Sequence, residues 1–149
     1  MNKRLDYYKA SPATIDGLSA FSGLLISSFG DPKLKALVEL RVSQINGCAY
    51  CIDLHSTEAR KLGEHAQRLA CLPIWREAPF YSEREKAAFA WAEAVTLVAQ
   101  TRVPDDVYAA AKIHFTDDQL VILTGIVGAM NVWNRISISF RKEPPTRIL

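Results

Sequence analysis

The sequence predicts an all-α protein. Three observations carry that expectation. Apolar residues recur at three- and four-residue spacing along most of the chain. Several of these segments open on capping residues, with Pro12, Pro32 and Pro104 near their starts. No stretch alternates apolar and polar residues with β-branched enrichment, so no strand is expected.

Ser11 and Pro12 open a first helix that stops at Gly30, with Ile15, Leu18, Phe21, Leu25 and Phe29 at helical spacing. Asp31 and Pro32 open a second, whose apolar side carries Leu34, Leu37, Val38, Val42 and Ile45. Asn46-Gly47 is a turn-forming pair that breaks it. A third helix follows from Cys48 to Leu62 and stops at Gly63. "EHAQRLACL", 64 to 72, is a short helix, and "PIWREAPFY", 73 to 81, is a loop with two prolines. Ser82 and Glu85 have the spacing of a capping box and open a helix through Gln100, with Ala87, Trp91, Ala94, Val95 and Val98 on one side. Pro104 starts a helix that ends near Phe115. Thr116 and Gln119 form a second box ahead of a long helix to Phe140. "RKEPPTRIL" is an extended tail. The total is about seven helices. No repeat, low-complexity tract or linker divides them, so 1–149 reads as one domain.

At 49% hydrophobic and 23% charged residues, the composition is globular and not that of a disordered chain. The formal charge is +2, from 18 basic and 16 acidic residues that are interspersed, which argues against a nucleic-acid partner. "MNKRLDYYKA" has no apolar stretch behind its basic residues and does not read as a signal peptide. "LVILTGIVGAMNVW", 120 to 133, falls short of the roughly 20 residues that a membrane span needs, and reads as a core helix. No membrane partner is expected. The expected compartment is the cytoplasm, where thiols stay reduced. Three cysteines make a disulfide framework improbable and turn attention to the pair in "INGCAYCIDLH".

On a helix at about 100° per residue, Cys48 and Cys51 lie about 60° apart and His55 falls on the same stripe. The helix start offers unpaired N–H groups and the positive end of the dipole, which stabilise a thiolate. His55 can take a proton from a thiol or return one to a leaving oxygen. These are the parts of a dithiol redox centre. An inert pair is the competing reading, and metal is another. Cys48, Cys51 and His55 supply three ligands, but a structural zinc site wants a fourth. The remaining thiol, Cys71, reads as a buried small hydrophobe. Ile52 stands where c-type haem attachment needs histidine, and a thioredoxin fold needs βαβ context. His65 and His114 read as surface or packing residues, and Tyr7, Tyr8 and Trp75 as packing first, with the lining of a pocket as their other reading. Gly125, Gly128 and Ala129 suit close helix contact, including contact between subunits of a homo-oligomer.

"RVSQINGCAYCIDLHSTEARKLGE" resembles the core motif of the AhpD-like alkylhydroperoxidases, within the carboxymuconolactone decarboxylase-like superfamily. "WREAPFYSEREKAAFAWAEAVT" and "NVWNRISISFR" resemble further segments of a single-domain subgroup, so the resemblance spans residues 31 to 141. It implies an all-helical subunit that assembles as a trimer or hexamer and reduces peroxides with thiols. On that pattern Cys51 attacks the peroxide, Cys48 resolves and His55 belongs to a proton relay. The decarboxylase branch lacks the cysteine pair. The family pattern also carries a glutamate in the preceding helix, at the position of Ala36 here. Glu39, one turn on, is the candidate replacement; a solvated surface charge is its other reading. Tyr50 stands between the cysteines, where its hydroxyl can meet a substrate oxygen or simply pack.

The expected activity is peroxide reduction through a Cys48/Cys51 dithiol–disulfide cycle, with His55 and Glu39 in the relay and no cofactor. An external thiol or dithiol must reopen the disulfide. The alternative is a non-peroxidase dithiol module: a redox sensor, a disulfide reductase or a metal-binding oligomer. Two arguments compete over the attacking thiol. The helix start favours Cys48; the i, i+4 histidine and the resemblance favour Cys51.

Overall fold

The computed structural model describes residues 3–146. Among them the chain is all-helical, with nine α-helices and no strand. They are α1 (Tyr7–Ala10), α2 (Pro12–Phe29), α3 (Pro32–Asn46), α4 (Ala49–Lys61), α5 (Ala66–Cys71), α6 (Glu83–Thr96), α7 (Val98–Thr101), α8 (Asp105–His114) and α9 (Asp117–Ser139). Residues 147–149 of the expected tail lie outside the described residues.

The expected caps act as caps. Asp31 accepts from the Leu34 N–H, and Ser82 and Thr116 each close a full capping box with Glu85 and Gln119. Two short helices go beyond the seven. Tyr7–Ala10 is a single turn that sets Tyr7 into the core. The helix expected to run through Gln100 stops at Thr96, and Val98–Thr101 forms a separate turn. There the Thr101 hydroxyl donates to the Ala94 carbonyl at 2.7 Å and accepts from the Val103 N–H, so the chain folds back. The loop at 73 to 81 is partly ordered as a 3₁₀ segment, Leu72–Glu77. Pro73 suits its start, because the fixed φ is helical and the missing N–H is one no turn would use.

α3 is the central helix. It packs against α4 on one side and against α6 and α9 on others; α9 in turn carries α2. Leu37, Leu40, Phe89 and Leu123 are fully buried where these helices meet, each side chain stabilising the fold by about 1.5–3 kcal/mol. α9 is apolar and long enough to cross a membrane by length and composition. Here it is a core helix: Leu123, Ile126, Val127 and Asn134 are buried against its neighbours.

The small residues of α9 divide between close contact within the chain and open surface. A Cβ on Gly125 would stand 2.7 Å from Leu25 Cδ2, so α2 of the same chain fills that notch. Ala129 is buried, while Gly128 is exposed with open space above it.

A buried polar lock joins α3 to α9. Asn46 Nδ2 donates to Asn131 Oδ1 at 3.0 Å and to Asn134 Oδ1 at 2.8 Å. Asn134 Nδ2 donates to Ser43 Oγ at 3.1 Å, and the Ser43 hydroxyl donates to the Glu39 carbonyl. Asn134→Ala removes an acceptor and a donor from this buried set. It should destabilise the protein by about 1–3 kcal/mol, read as a lowered denaturation midpoint at unchanged m-value. A loss within error would show that the lock contributes nothing to folding.

Candidate active site

The site is built on the junction between α3 and α4. α3 ends at Asn46, and Gly47 takes a left-handed conformation (φ 69°), which only glycine enters without steric cost. The Cys48 N–H then reaches the Ser43 carbonyl at 3.0 Å, closing the helix end. Cys48 is at once the N-cap of α4, and its sulfur accepts from the Cys51 N–H at 3.3 Å. The break expected at Asn46-Gly47 is therefore present, and Cys48 stands one residue ahead of the first turn.

Cys48 and Cys51 are joined as a disulfide, with Cα atoms 5.3 Å apart. Both are buried, at 1% and 2% exposure. Cys71 is a free, half-buried thiol apart from this pair. His55 is buried one turn along α4 from Cys51. Its Nδ1 lies 2.9 Å from Glu58 Oε2 and 3.2 Å from Glu39 Oε2. One N–H cannot serve both carboxylates fully; the Glu58 contact is the shorter and has hydrogen-bond geometry, and Glu39 faces the same nitrogen from α3.

Glu39 is not a solvated surface charge. It is 9% exposed, its Oε2 is closed to solvent, and Lys35 Nζ stands 2.8 Å away. Ala36, at the family's glutamate position, is buried without a charge to offer. The structure thus brings Glu39, Cys51 and His55 together from two helices, and adds two residues that the sequence reading missed. Their signal was spacing: Glu58 is three residues beyond His55, and Lys35 is four before Glu39. His65 also gains a role, since its ring accepts from the Gln67 N–H as the N-cap of α5.

The electrostatics follow from burial and charge. Burial alone would lower the His55 pKa. The hydrogen bonds and charges of Glu39 and Glu58 outweigh it and raise the value to about 9. His55 is therefore an imidazolium at neutral pH. The same contact with His55 holds the Glu58 carboxyl below the usual range, against the opposing effect of burial. Two carboxylates, one imidazolium and one ammonium leave the cluster without net charge. Glu39, His55 and Glu58 also offer three ligand atoms within 4.8 Å of one another. A metal ion there would have to expel the His55 proton and stand against the Lys35 ammonium.

Cys51, His55, Glu39 and Glu58 open onto one cavity of about 240 Å³. Its other walls are mainly apolar and aromatic, with Leu25, Met130, Tyr8, Tyr50 and Trp133. Trp133 is fixed by donating to Ser22 Oγ at 3.0 Å. Burial, then Tyr8, Asp53 and Glu58, push the Tyr50 phenol up, so it stays a donor at neutral pH. Tyr7 and Tyr8 also line this cavity, the second of their two expected roles, whereas Trp75 is not part of the lining.

The His55 cluster makes stability depend on pH. The folded pKa of about 9 exceeds the unfolded value of 6.5, so the His55 contribution is full below pH 6.5 and is lost as pH rises through about 9. Glu58, with a lowered pKa, contributes above its unfolded value of 4.5 and loses that contribution as pH falls. The melting temperature of the oxidised protein should be highest between these limits and decline from pH 6.5 to 9. His55→Gln should flatten that alkaline decline. A wild-type melting temperature constant over this range would contradict the assignment.

Comparison with known proteins agrees with this geometry. A model of the carboxymuconolactone decarboxylase family matches residues 12–94. YdfG of Bacillus subtilis (strain 168), an uncharacterized protein, is 41% identical over 139 residues, covering 93% of this chain and 95% of YdfG. The crystal structure of ATU0492 from Agrobacterium tumefaciens superposes with a TM-score of 0.95 at 39% identity, over 98% of this chain and 100% of that one. ATU0492 is described as a protein of unknown function and a candidate antioxidant defence protein AhpD. An uncharacterized peroxidase-related protein with an alkylhydroperoxidase AhpD core, from Ralstonia eutropha JMP134, has a TM-score of 0.81 at 18% identity, over 93% and 74% of the two chains, which is likeness of fold alone. With its family model, a close relative and an AhpD-like fold in agreement, this chain belongs to the carboxymuconolactone decarboxylase family.

Proposed function

We propose that the protein is a thiol-dependent peroxidase that cycles Cys48 and Cys51 between dithiol and disulfide. The observation that carries this reading is the shared cavity: Cys51, His55 and Glu39 face one apolar space, while Cys48 lies behind Cys51 on the disulfide. That arrangement favours Cys51 over Cys48 as the attacking thiol. The AhpD-like fold supports the reaction class.

The cycle balances as follows. The Cys51 thiolate attacks one peroxide oxygen and the O–O bond breaks. His55 donates its proton to the leaving oxygen, giving an alcohol or water and a sulfenic acid on Cys51. The Cys48 thiol condenses with that sulfenic acid, releasing water and forming the disulfide. Two external thiol equivalents, or one dithiol, reduce it and leave as a disulfide. His55 enters as an acid and charge partner for the thiolate. Glu39 and Glu58 hold its proton between turnovers, and the Lys35 ammonium, 2.8 Å from Glu39, keeps that side chain in place. The Tyr50 hydroxyl donates to the substrate oxygen. A reducing compartment such as the cytoplasm supplies the thiols.

The functional unit we propose is a homo-oligomer, a trimer or hexamer. Phe21 and Leu24 on α2, Ile113 on α8 and Val121 on α9 leave apolar surface uncovered in the single subunit, as an assembling surface would. Light scattering at micromolar concentration should report three or six chains; a stable monomer would end this part of the proposal.

The chemistry is tested with single variants and one equivalent of peroxide. Cys48→Ser should accumulate a sulfenic acid on Cys51, and Cys51→Ser should react slowly. His55→Asn should lower the rate of peroxide reduction by about 10²–10⁴-fold. Faster sulfenic acid formation on Cys48 in Cys51→Ser would reverse the assignment. Oxidation of the pair without dithiol-supported turnover would leave a redox sensor or other dithiol module in place of a peroxidase.

A further inference from the structure

The two sulfurs of the disulfide line two different cavities. Cys51 faces the aromatic one. Cys48 and Gly47 line a second, broader one of about 660 Å³. Its rim carries Arg4, Arg141 and Lys142 against a single carboxylate, Glu143. None of the three cations is in an ion pair with a carboxylate among the described residues. The segment before α1 is held there by the end of α9: the Arg4 N–H reaches the Phe140 carbonyl at 3.2 Å and Arg4 Nη1 the Ser139 carbonyl at 3.1 Å. Arg141 lies in the left-handed region (φ 53°) as the chain turns, and the Lys142 N–H returns to the Ser137 carbonyl. Lys142 Nζ stands 5.1–5.8 Å from the ring centres of Tyr7, Tyr8 and Tyr50. Those three rings line the aromatic cavity, so Lys142 stands at the boundary between the two spaces.

We infer that the cavity on the Cys48 side admits the reductant, and that this reductant is a thiol carrying carboxylate groups. The inference rests on the dithiol cycle proposed above. A rim with an excess of two positive charges raises the local concentration of anions. Any attacking thiolate gains from it, and one that also bears carboxylates gains more. The chemistry selects the same sulfur as the geometry. In thiol–disulfide exchange the more acidic thiol is the better leaving group. Attack on Cys48 Sγ breaks the S–S bond and expels Cys51 as a thiolate beside the His55 imidazolium. The new bond joins the reductant sulfur to Cys48. A second thiol equivalent attacks that mixed disulfide, leaves as the oxidised reductant and frees Cys48. Two thiols are oxidised for the one protein disulfide reduced.

The test uses the oxidised full-length protein and no peroxide, so it is independent of peroxidase turnover. Opening of the Cys48–Cys51 bond is followed by alkylation and mass spectrometry with 3-mercaptopropionate, 2-mercaptoethanol and cysteamine, each rate expressed per thiolate. Mercaptopropionate should exceed cysteamine by about tenfold or more at low ionic strength. The preference should collapse at about 1 M salt, where screening acts within roughly 3 Å. The double variant Arg4→Gln/Arg141→Gln should erase the preference, and Arg4→Lys/Arg141→Lys should keep it. Acid-quenched mixed disulfide should fragment with the adduct on Cys48. Equal rates for the anionic and cationic thiols, or an adduct on Cys51, would overturn the inference. If the charge preference holds in a protein that fails to turn over peroxide, the reductant site stands and the peroxidase reading falls.

Discussion

α3 has to end and α4 has to begin within two residues, and no amide on that turn can be left buried without a partner. The left-handed Gly47 meets this constraint, with the Cys48 N–H closing α3 and the Cys48 sulfur opening α4. The cysteine is part of the backbone's hydrogen-bond accounting as well as of the chemistry. The position of everything else in the site follows. Because α4 restarts at once, it lies along α3, and Glu39 and His55 come within 3.2 Å across the two helices. Asn134 reaches in from α9 to Asn46 and Ser43, fixing the last turn of α3 just ahead of the break.

Charge compensation is the second organising fact. A buried imidazolium without anions would lose its proton, and His55 keeps its own because Glu39 and the half-buried Glu58 face it. Lys35, Glu39, His55 and Glu58 compensate one another, so a proton is held on His55 one turn from the Cys51 sulfur. Truncating one member leaves its neighbour as an uncompensated buried charge, a larger loss than the pair itself is worth.

Much of this was legible in the sequence because it depends on local rules. Caps at Asp31, Ser82 and Thr116, the stop at Gly47 and the stripe of Cys48, Cys51 and His55 need only neighbouring residues. Glu39 was identified as a candidate, but its fate depended on how two helices pack, which no single helix determines. Glu58 and Lys35 were missed for a related reason. Each has the right spacing, but on an exposed helix the same spacing produces only a weak surface pair. The end of α6 at Thr96 was hidden too, since it depends on the Thr101 hydroxyl reaching a carbonyl seven residues back. The small residues of α9 showed a need for close approach; that Leu25 meets it from within the chain is a tertiary fact.

The contact between Gly125 and Leu25 bears on what the aromatic cavity can accept. Leu25 is part of the cavity wall, and Gly125 lies behind it, outside the lining. A side chain at 125 would stand 2.7 Å from Leu25 Cδ2, so this part of the cavity wall must shift to admit it. Residue 125 therefore acts on the shape of the chamber through Leu25 and without touching its contents, so the form of the chamber is governed from α9, apart from the sulfurs, the stored proton and the turn at Gly47.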